Sequence, residues 1–312
     1  MTDSSLPIDV REITKRYDQF LAVDGISFAV RPGTVFGLLG PNGAGKTTTI
    51  RMIMNIIVPD SGSVSIFGKS GRDVAARSIG YLPEERGLYR KMRVLDHLGF
   101  LGEIRGLSRQ VARNRAADWL ERLGLSSWQR KKVEELSKGM QQKLQFVGCV
   151  IHDPDILILD EPFSGLDPVN TRVFKELLLE LRDKGKTLVL STHVMEQAER
   201  LCDEIALIHR AKIVLRGPLT DIKKRFSGNR MLVRGRGDAE RLRALPSVQD
   251  LKQENGQIDL SLRADASPAE FVRQSSAVFE IESVIPHEAS LDEIFIDVVG
   301  GVSAPAPMEE TS

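Results

Sequence analysis

Nine consecutive residues, Gly40-Pro41-Asn42-Gly43-Ala44-Gly45-Lys46-Thr47-Thr48, set three glycines ahead of a lysine and two hydroxyls. Glycines let successive backbone N–H groups turn inward around an anion, and a helix N-terminus behind them adds positive potential. Lys46 supplies a mobile full charge for the β- and γ-phosphates of a nucleotide, and the Thr47 hydroxyl is placed to ligate Mg²⁺. A second candidate group is Asp160-Glu161, which ends the apolar run Ile156-Leu157-Ile158-Leu159. Asp160 is the expected partner of the Mg²⁺ shell and Glu161 the expected general base for water, against the alternative of a helix-capping acid pair. His193 closes the run Thr187-Leu188-Val189-Leu190-Ser191-Thr192-His193. It either opens a helix or reaches the γ-phosphate as donor or sensor. Tyr17, beside Lys15 and Arg16, either stacks on a nucleotide base or packs as an edge-strand aromatic.

These residues need a scaffold that brings them together. The loop follows the apolar run Val35-Phe36-Gly37-Leu38-Leu39 and precedes a helical pattern over 50–57, the strand–loop–helix context of a phosphate site. The continuous apolar run 156–159 predicts a strand covered on both faces, as in a parallel sheet. A carboxylate at the end of such a strand lies where ligands bind in open α/β sheets. Residues 8–30 read as short strands around a turn at Tyr17-Asp18-Gln19, and 64–67, 78–82, 205–208 and 213–215 as further strands. Pro59-Asp60-Ser61-Gly62 and Gly217-Pro218 punctuate the chain, and a helix is expected over 169–184. The stretch 94–150 has helical periodicity and few strand signals, so it reads as a helical insertion in an α/β layout. Within it, Arg130-Lys131-Lys132 reads as a solvated face.

After Gly217-Pro218 the character changes. Strands at 230–234, 248–254, 258–262 and 278–285 alternate with helices at 239–245 and 268–275, with Asn255-Gly256 as a hairpin turn. That order, β-α-β-β-α-β, is the split βαβ or ferredoxin-like pattern, with a last helix over 291–299. The Ala-Pro-Ala-Pro stretch and acids of 300–312 predict a disordered tail.

The formal net charge of the 312-residue chain is zero, but the sign is uneven. Residues 1–228 hold 35 Lys and Arg against 28 Asp and Glu, whereas 229–312 hold 8 against 15. A mildly basic first part suits a nucleoside-triphosphate ligand, and an acidic second part argues against nucleic acid as its partner. Cys149 and Cys202 have no metal-type spacing and are expected as buried thiols, which fits a reducing compartment. No apolar run approaches the roughly 18 residues that span a bilayer, and residues 1–7 lack a signal-peptide apolar region. A cytosolic chain is therefore expected, with any membrane spans supplied by another subunit.

The next motif separates the families that share a glycine-rich phosphate loop. Leu136-Ser137-Lys138-Gly139-Met140-Gln141-Gln142 stands 24 residues ahead of Asp160 and resembles the signature of ABC ATPases, commonly Leu-Ser-Gly-Gly-Gln. Lys138 and Met140 depart from that form. Ser164-Gly165-Leu166-Asp167 resembles the family's D-loop, His193 its switch histidine and Tyr17 its base-stacking aromatic. The resemblance spans roughly 7–220. It implies a P-loop NTPase fold of the ABC ATPase type, binding ATP and Mg²⁺ through Tyr17, the loop Gly40 to Thr48 and Asp160. It also implies that Ser137 and Gly139 serve the nucleotide of an opposite subunit, in a head-to-tail dimer of identical chains or close paralogues with two ATPs at the seam. Glu84 departs again, because the family usually has glutamine there, next to Mg²⁺ and water. The run Tyr81-Leu82-Pro83-Glu84-Glu85-Arg86-Gly87-Leu88-Tyr89 resembles a subset of bacterial exporter ATPases. A carboxylate binds Mg²⁺ more strongly than an amide. Ser290-Leu291-Asp292-Glu293-Ile294-Phe295-Ile296 resembles the end of ATPases from type-2 ABC exporters, similar to the sodium-efflux and drug-resistance groups.

The implied layout is an ATPase domain over 7–228 with its helical subdomain over about 94–150, an accessory domain over 229–299 and the tail. The implied function is the ATP-hydrolysing subunit of a bacterial exporter, held by a transmembrane permease subunit on the cytoplasmic face of the inner membrane. Glu161 and His193 would be its catalytic residues. The competing reading is an ABC-type ATPase acting on the ribosome or DNA. Such relatives usually carry two cassettes, coiled-coil or zinc insertions, whereas this chain has one phosphate loop and one signature.

Overall fold

The computed structural model describes residues 6–70, 78–85, 87–254 and 257–300, with the side chain of Glu254 undescribed. The expected turn at Asn255-Gly256, Arg86 of the Glu84 loop and all but the first residue of the expected tail lie outside these residues. The chain forms two compact units, Met1–Pro218 and Leu219–Ser312.

The first unit opens with the antiparallel hairpin β1 (Ile8–Tyr17) and β2 (Phe20–Val30). Both strands are longer than the short segments expected from sequence, because register shifts let each strand bend and keep pairing along its length. Next come β3 (Val35–Leu39), α1 (Lys46–Ile53), β4 (Ser61–Ile66), β5 (Lys69–Ser70) and β6 (Ile79–Leu82). Three helices, α2 (Val94–Ile104), α3 (Arg109–Arg122) and α4 (Lys138–Val150), fill the stretch read as a helical insertion. Then follow β7 (Ile156–Asp160), α5 (Pro168–Asp183), β8 (Thr187–Thr192), α6 (Met195–Glu199), β9 (Glu204–His209) and β10 (Lys212–Pro218).

Among the described residues the first unit carries two sheets. One is antiparallel, in the order β2-β1-β4-β5, and the other runs β10-β9-β3-β8-β7-β6. In the second sheet β9, β3, β8, β7 and β6 are parallel to their neighbours and β10 is an antiparallel edge. Every residue of β3, β7 and β8 is buried, as their unbroken apolar runs require. Ile50 and Ile53 of α1 pack into a core shared by both sheets, where the rings of Phe28 and Phe36 stack 5.0 Å apart. The glycine loop, Asp160-Glu161 and His193 follow β3, β7 and β8, three adjacent strands of one sheet. Their carboxyl ends therefore deliver all three groups to one edge. Cys149 and Cys202 are buried free thiols, and burial pushes Cys149 up to about 12.

The second unit contains α7 (Leu219–Ser227), β11 (Arg230–Arg236), α8 (Ala239–Arg243), β12 (Val248–Glu254), β13 (Gln257–Leu262), α9 (Pro268–Ser275), β14 (Glu280–Pro286) and α10 (Leu291–Gly300). Its antiparallel sheet has the order β12-β13-β11-β14, the ferredoxin-like arrangement expected from element order. The sheet closes over Val233, Leu260, Phe271 and their neighbours. The unit begins ten residues before the boundary expected at 228/229, so α7 belongs with it. The reason is local tethering: Ser227 Oγ accepts from the Ala289 N–H at 2.9 Å, and Lys223 pairs with Glu288 at 3.6 Å.

Candidate functional site

The phosphate loop is shaped by glycines that nothing else could replace. Gly40 has φ +144°, and a Cβ there would lie 2.1 Å from the Ile208 carbonyl oxygen. Gly45, at φ +112°, would meet the Ala22 carbonyl oxygen at 2.5 Å. Both positions combine a backbone region that L side chains avoid with close approach of a neighbouring strand. The Ala44 N–H closes the turn onto the Pro41 carbonyl at 3.2 Å, while Asn42 and Gly43 stand exposed at its tip. Thr47 and Thr48 sit half-buried in the first turn of α1. A cleft of about 390 Å³ opens beside the loop, between Phe20 and the turn at Arg210.

Lys46 folds back over this loop. Its ammonium donates to the carbonyls of Gly40 at 2.7 Å and Pro41 at 3.2 Å, and lies 3.8 Å from Glu161 Oε1. Burial pulls its pKa below the usual lysine range, and the carboxylates of Glu161, Asp160 and Glu84 oppose that pull. The three acidic residues named from sequence thus act on the one cation of the phosphate loop.

β7 ends at Asp160, whose Oδ1 accepts from the Ser191 hydroxyl of β8. Asp160 Oδ2 is buried with no hydrogen-bond partner. A buried anionic oxygen without a donor carries a desolvation cost that a cation would relieve. The chain then turns sharply: Glu161 adopts a left-handed φ of +48°, uncommon for a non-glycine residue. Its N–H is held by the carbonyl and hydroxyl oxygens of Ser191, both at 3.2 Å. Glu161 Oε1 meets His193 Nδ1 at 2.9 Å. The sequence reading overlooked Ser191, which orients both acids. No sequence signal marked it, because its role depends on β8 lying beside β7, where Ser191 pairs across from Asp160.

Glu84 follows β6, whose Leu82 pairs with Leu159 of β7, so its loop runs beside Asp160. Tyr81 is pushed up to about 12 by burial and by Asp160, against the opposing charge of Arg51. Tyr17 ends β1, half exposed, with the Lys15 ammonium 5.8 Å from its ring centre.

Ser137 and Gly139 are placed differently. Ser137 caps α4, accepting from the Met140 N–H at 3.3 Å, and is exposed together with Lys138. Among the described residues, no hydrogen bond or ion pair joins Ser137 or Gly139 to the phosphate loop. The nearest atom to a Cβ at Gly139 would be Leu166 Cδ2 at 3.9 Å, so the signature and D-loop segments are neighbours. Asp167 caps α5 by accepting from the Asn170 N–H at 2.9 Å. That bond and the Asn170 side chain hold its carboxyl below the usual range.

A glycine loop opening α1, with a buried lysine and two acids converging on it, defines a P-loop nucleoside triphosphatase. Comparison with known proteins narrows the class. The ABC transporter family model matches residues 23–164, and the model for the C-terminal domain of DrrA1-3-like ATP-binding proteins matches 217–299. The ABC transporter ATP-binding protein YhaQ of Bacillus subtilis (strain 168) is 38% identical over 295 residues, covering 95% of this chain and 99% of YhaQ. The Nod factor export ATP-binding protein I of Burkholderia thailandensis is 35% identical, covering 95% of this chain and 98% of that protein. A solved ATP-binding subunit of an ABC transporter superposes with a TM-score of 0.65 at 32% identity, over 70% of this chain and 92% of that one. The chain belongs to the ATP-binding subunits of ABC transporters, and it binds and hydrolyses ATP. No helix of the described residues is long and apolar enough to cross a membrane.

Proposed function

We propose that this subunit energises export through a separate membrane permease, by ATP-driven pairing of two ATPase chains. The observation that carries the reading is the split arrangement of its chemistry. Lys46, Asp160, Glu161 and His193 converge within the chain, while Ser137 and Gly139 open α4 at its solvent-facing N-terminus, elsewhere on the same unit. An exposed helix N-terminus with a capping hydroxyl and a close backbone N–H suits a phosphate supplied from outside. The Nod factor export relative, similar over 95% of the chain, supports an export assignment.

In this reading the loop N–H groups and Lys46 hold the β- and γ-phosphates, and Tyr17 stacks on the base. Thr47, Asp160 and Glu84 hold Mg²⁺, and the partnerless Asp160 Oδ2 fits that role. Bound Mg²⁺ supplies positive charge to the phosphate oxygens. Glu161 orients the attacking water and accepts its proton, and His193, linked to Glu161 Oε1, steadies the γ-phosphate. Asp167 lies beside the partner chain at the seam. Closure would move α2–α4 and the Glu84 loop, which transmit the change to the permease, and hydrolysis would reopen the pair. The subunit then sits on the cytoplasmic face of the cell membrane.

Co-purification of the tagged chain from gently solubilised membranes tests the assignment. A polytopic membrane protein should accompany it in stoichiometric amount. Recovery with ribosomes or nucleic acid and without such a protein would overturn it. For Glu84, replacement by glutamine should leave metal-free ATP binding unchanged and raise the half-maximal Mg²⁺ concentration by about tenfold or more, the scale of one charge-assisted contact. A Mg²⁺ titration of ATP turnover that superposes on wild type would remove Glu84 from the metal shell.

A further inference from the structure

We propose that Gln145 is a positioning residue for Glu84. It stands on α4 between Leu144 and Phe146, both fully buried, and is itself 8% exposed. Its Nε2 donates to the carbonyl of Pro83 at 3.0 Å and to that of Glu85 at 3.2 Å. These two carbonyls flank Glu84, and a primary amide has two N–H bonds to give. Both donors are therefore committed to one loop, while Oε1 is buried without a partner. Nothing else in the described residues fixes the orientation of this amide, so the loop is what the side chain is built to hold.

The physical consequence falls on Glu84. Its loop is held on one side by the pairing of β6 with β7, which ends at Leu82 and Leu159. Beyond that point no strand pairing continues, and Glu84 and Glu85 are exposed. The two bonds from Gln145 fix the backbone on either side of Glu84 and leave its carboxylate free to act on Lys46. Phe146 wedges against Trp119 and Phe174, with ring centres 5.9 and 4.5 Å away, so the helix that carries the amide is rigid at that turn. An exposed carboxylate on an unanchored loop would lose conformational entropy on meeting a metal ion. Anchoring the backbone beforehand removes most of that loss.

The inference rests on Glu84 contributing to the Mg²⁺ shell, and the test separates the two claims. Gln145→Met preserves length and approximate volume and removes both donors. Binding of a fluorescent non-hydrolysable ATP analogue to the full chain is titrated with Mg²⁺, and again in EDTA, with the melting temperature recorded. Gln145→Met should raise the Mg²⁺ midpoint roughly fivefold, as expected for loss of one to two hydrogen bonds, and leave affinity in EDTA unchanged. In a Glu84→Gln background the same substitution should shift the midpoint by less than about 1.5-fold, because the two act through one group. If Glu84→Gln moves the midpoint and Gln145→Met does not, the Glu84 reading stands and this inference falls. If Glu84→Gln has no effect, both fall. An equal loss in EDTA would make Gln145 a general scaffold residue and also overturn it. Gln145→Ala serves as a second variant should Gln145→Met fail to fold, with the same outcomes.

Discussion

Glu161→Gln should bind ATP with wild-type affinity or better and hydrolyse it about 10² to 10⁴ times more slowly, the range for loss of a positioned general base. The substitution keeps the side chain's length and its ability to accept from His193, so the contact at 2.9 Å has a replacement. It removes the one charge that a base requires. Binding should not suffer, because Glu161 Oε1 sits 3.8 Å from the Lys46 ammonium and competes with phosphate for it. Neutralising that competitor leaves Lys46 with its two carbonyl partners and an unopposed attraction for the γ-phosphate. Single-turnover hydrolysis measured beside equilibrium ATP binding checks both halves. Turnover within twofold of wild type would assign the base elsewhere.

Lys46→Ala should weaken ATP binding by about 10- to 100-fold, the scale of losing hydrogen bonds from a charged donor. The ammonium is almost fully enclosed, with 6% of its side chain exposed, so water cannot take over its interaction with a phosphate. Three carboxylates already surround it electrostatically, and without the lysine a triphosphate would meet only repulsion from them. Lys46→Arg should not rescue, because a planar guanidinium cannot be seated where a compact ammonium meets two loop carbonyls. Titration with a fluorescent ATP analogue measures the loss. Unaltered affinity in Lys46→Ala would mean that the loop N–H groups alone hold the phosphates.

The most legible part of the molecule was local chemistry. The Gly40 to Thr48 stretch dictates its own conformation through Gly40 and Gly45, and the apolar runs of β3, β7 and β8 announce a sheet buried on both faces. The ferredoxin-like order of the second unit followed from element sequence alone. What sequence could not show was pairing at a distance. Ser191 reads as an ordinary strand residue until β8 is known to lie beside β7, where it meets Asp160 and Glu161. Gln145 reads as a stray polar residue in a helix until α4 is packed against the Glu84 loop, 60 to 62 residues away in the chain. The left-handed turn at Glu161 has no glycine to signal it. The misplaced boundary near 228 has a similar cause, since α7 is tied to residues 288 and 289, far along the chain.

The central claim is that each ATP site needs Ser137 and Gly139 from a second chain. Mixing two variants that are each silent tests it most directly. Lys46→Ala carries a faulty phosphate loop, and Gly139→Asp carries a faulty signature, at a position where a Cβ meets nothing closer than 3.9 Å within its own chain. Both should fold, and alone each should show little hydrolysis. Mixed in equal amounts, they should regain activity, because a mixed pair has one site built from an intact loop and an intact signature. Full hydrolysis by Gly139→Asp alone, at a dilution where sedimentation shows only single chains in the presence of ATP, would contradict the account.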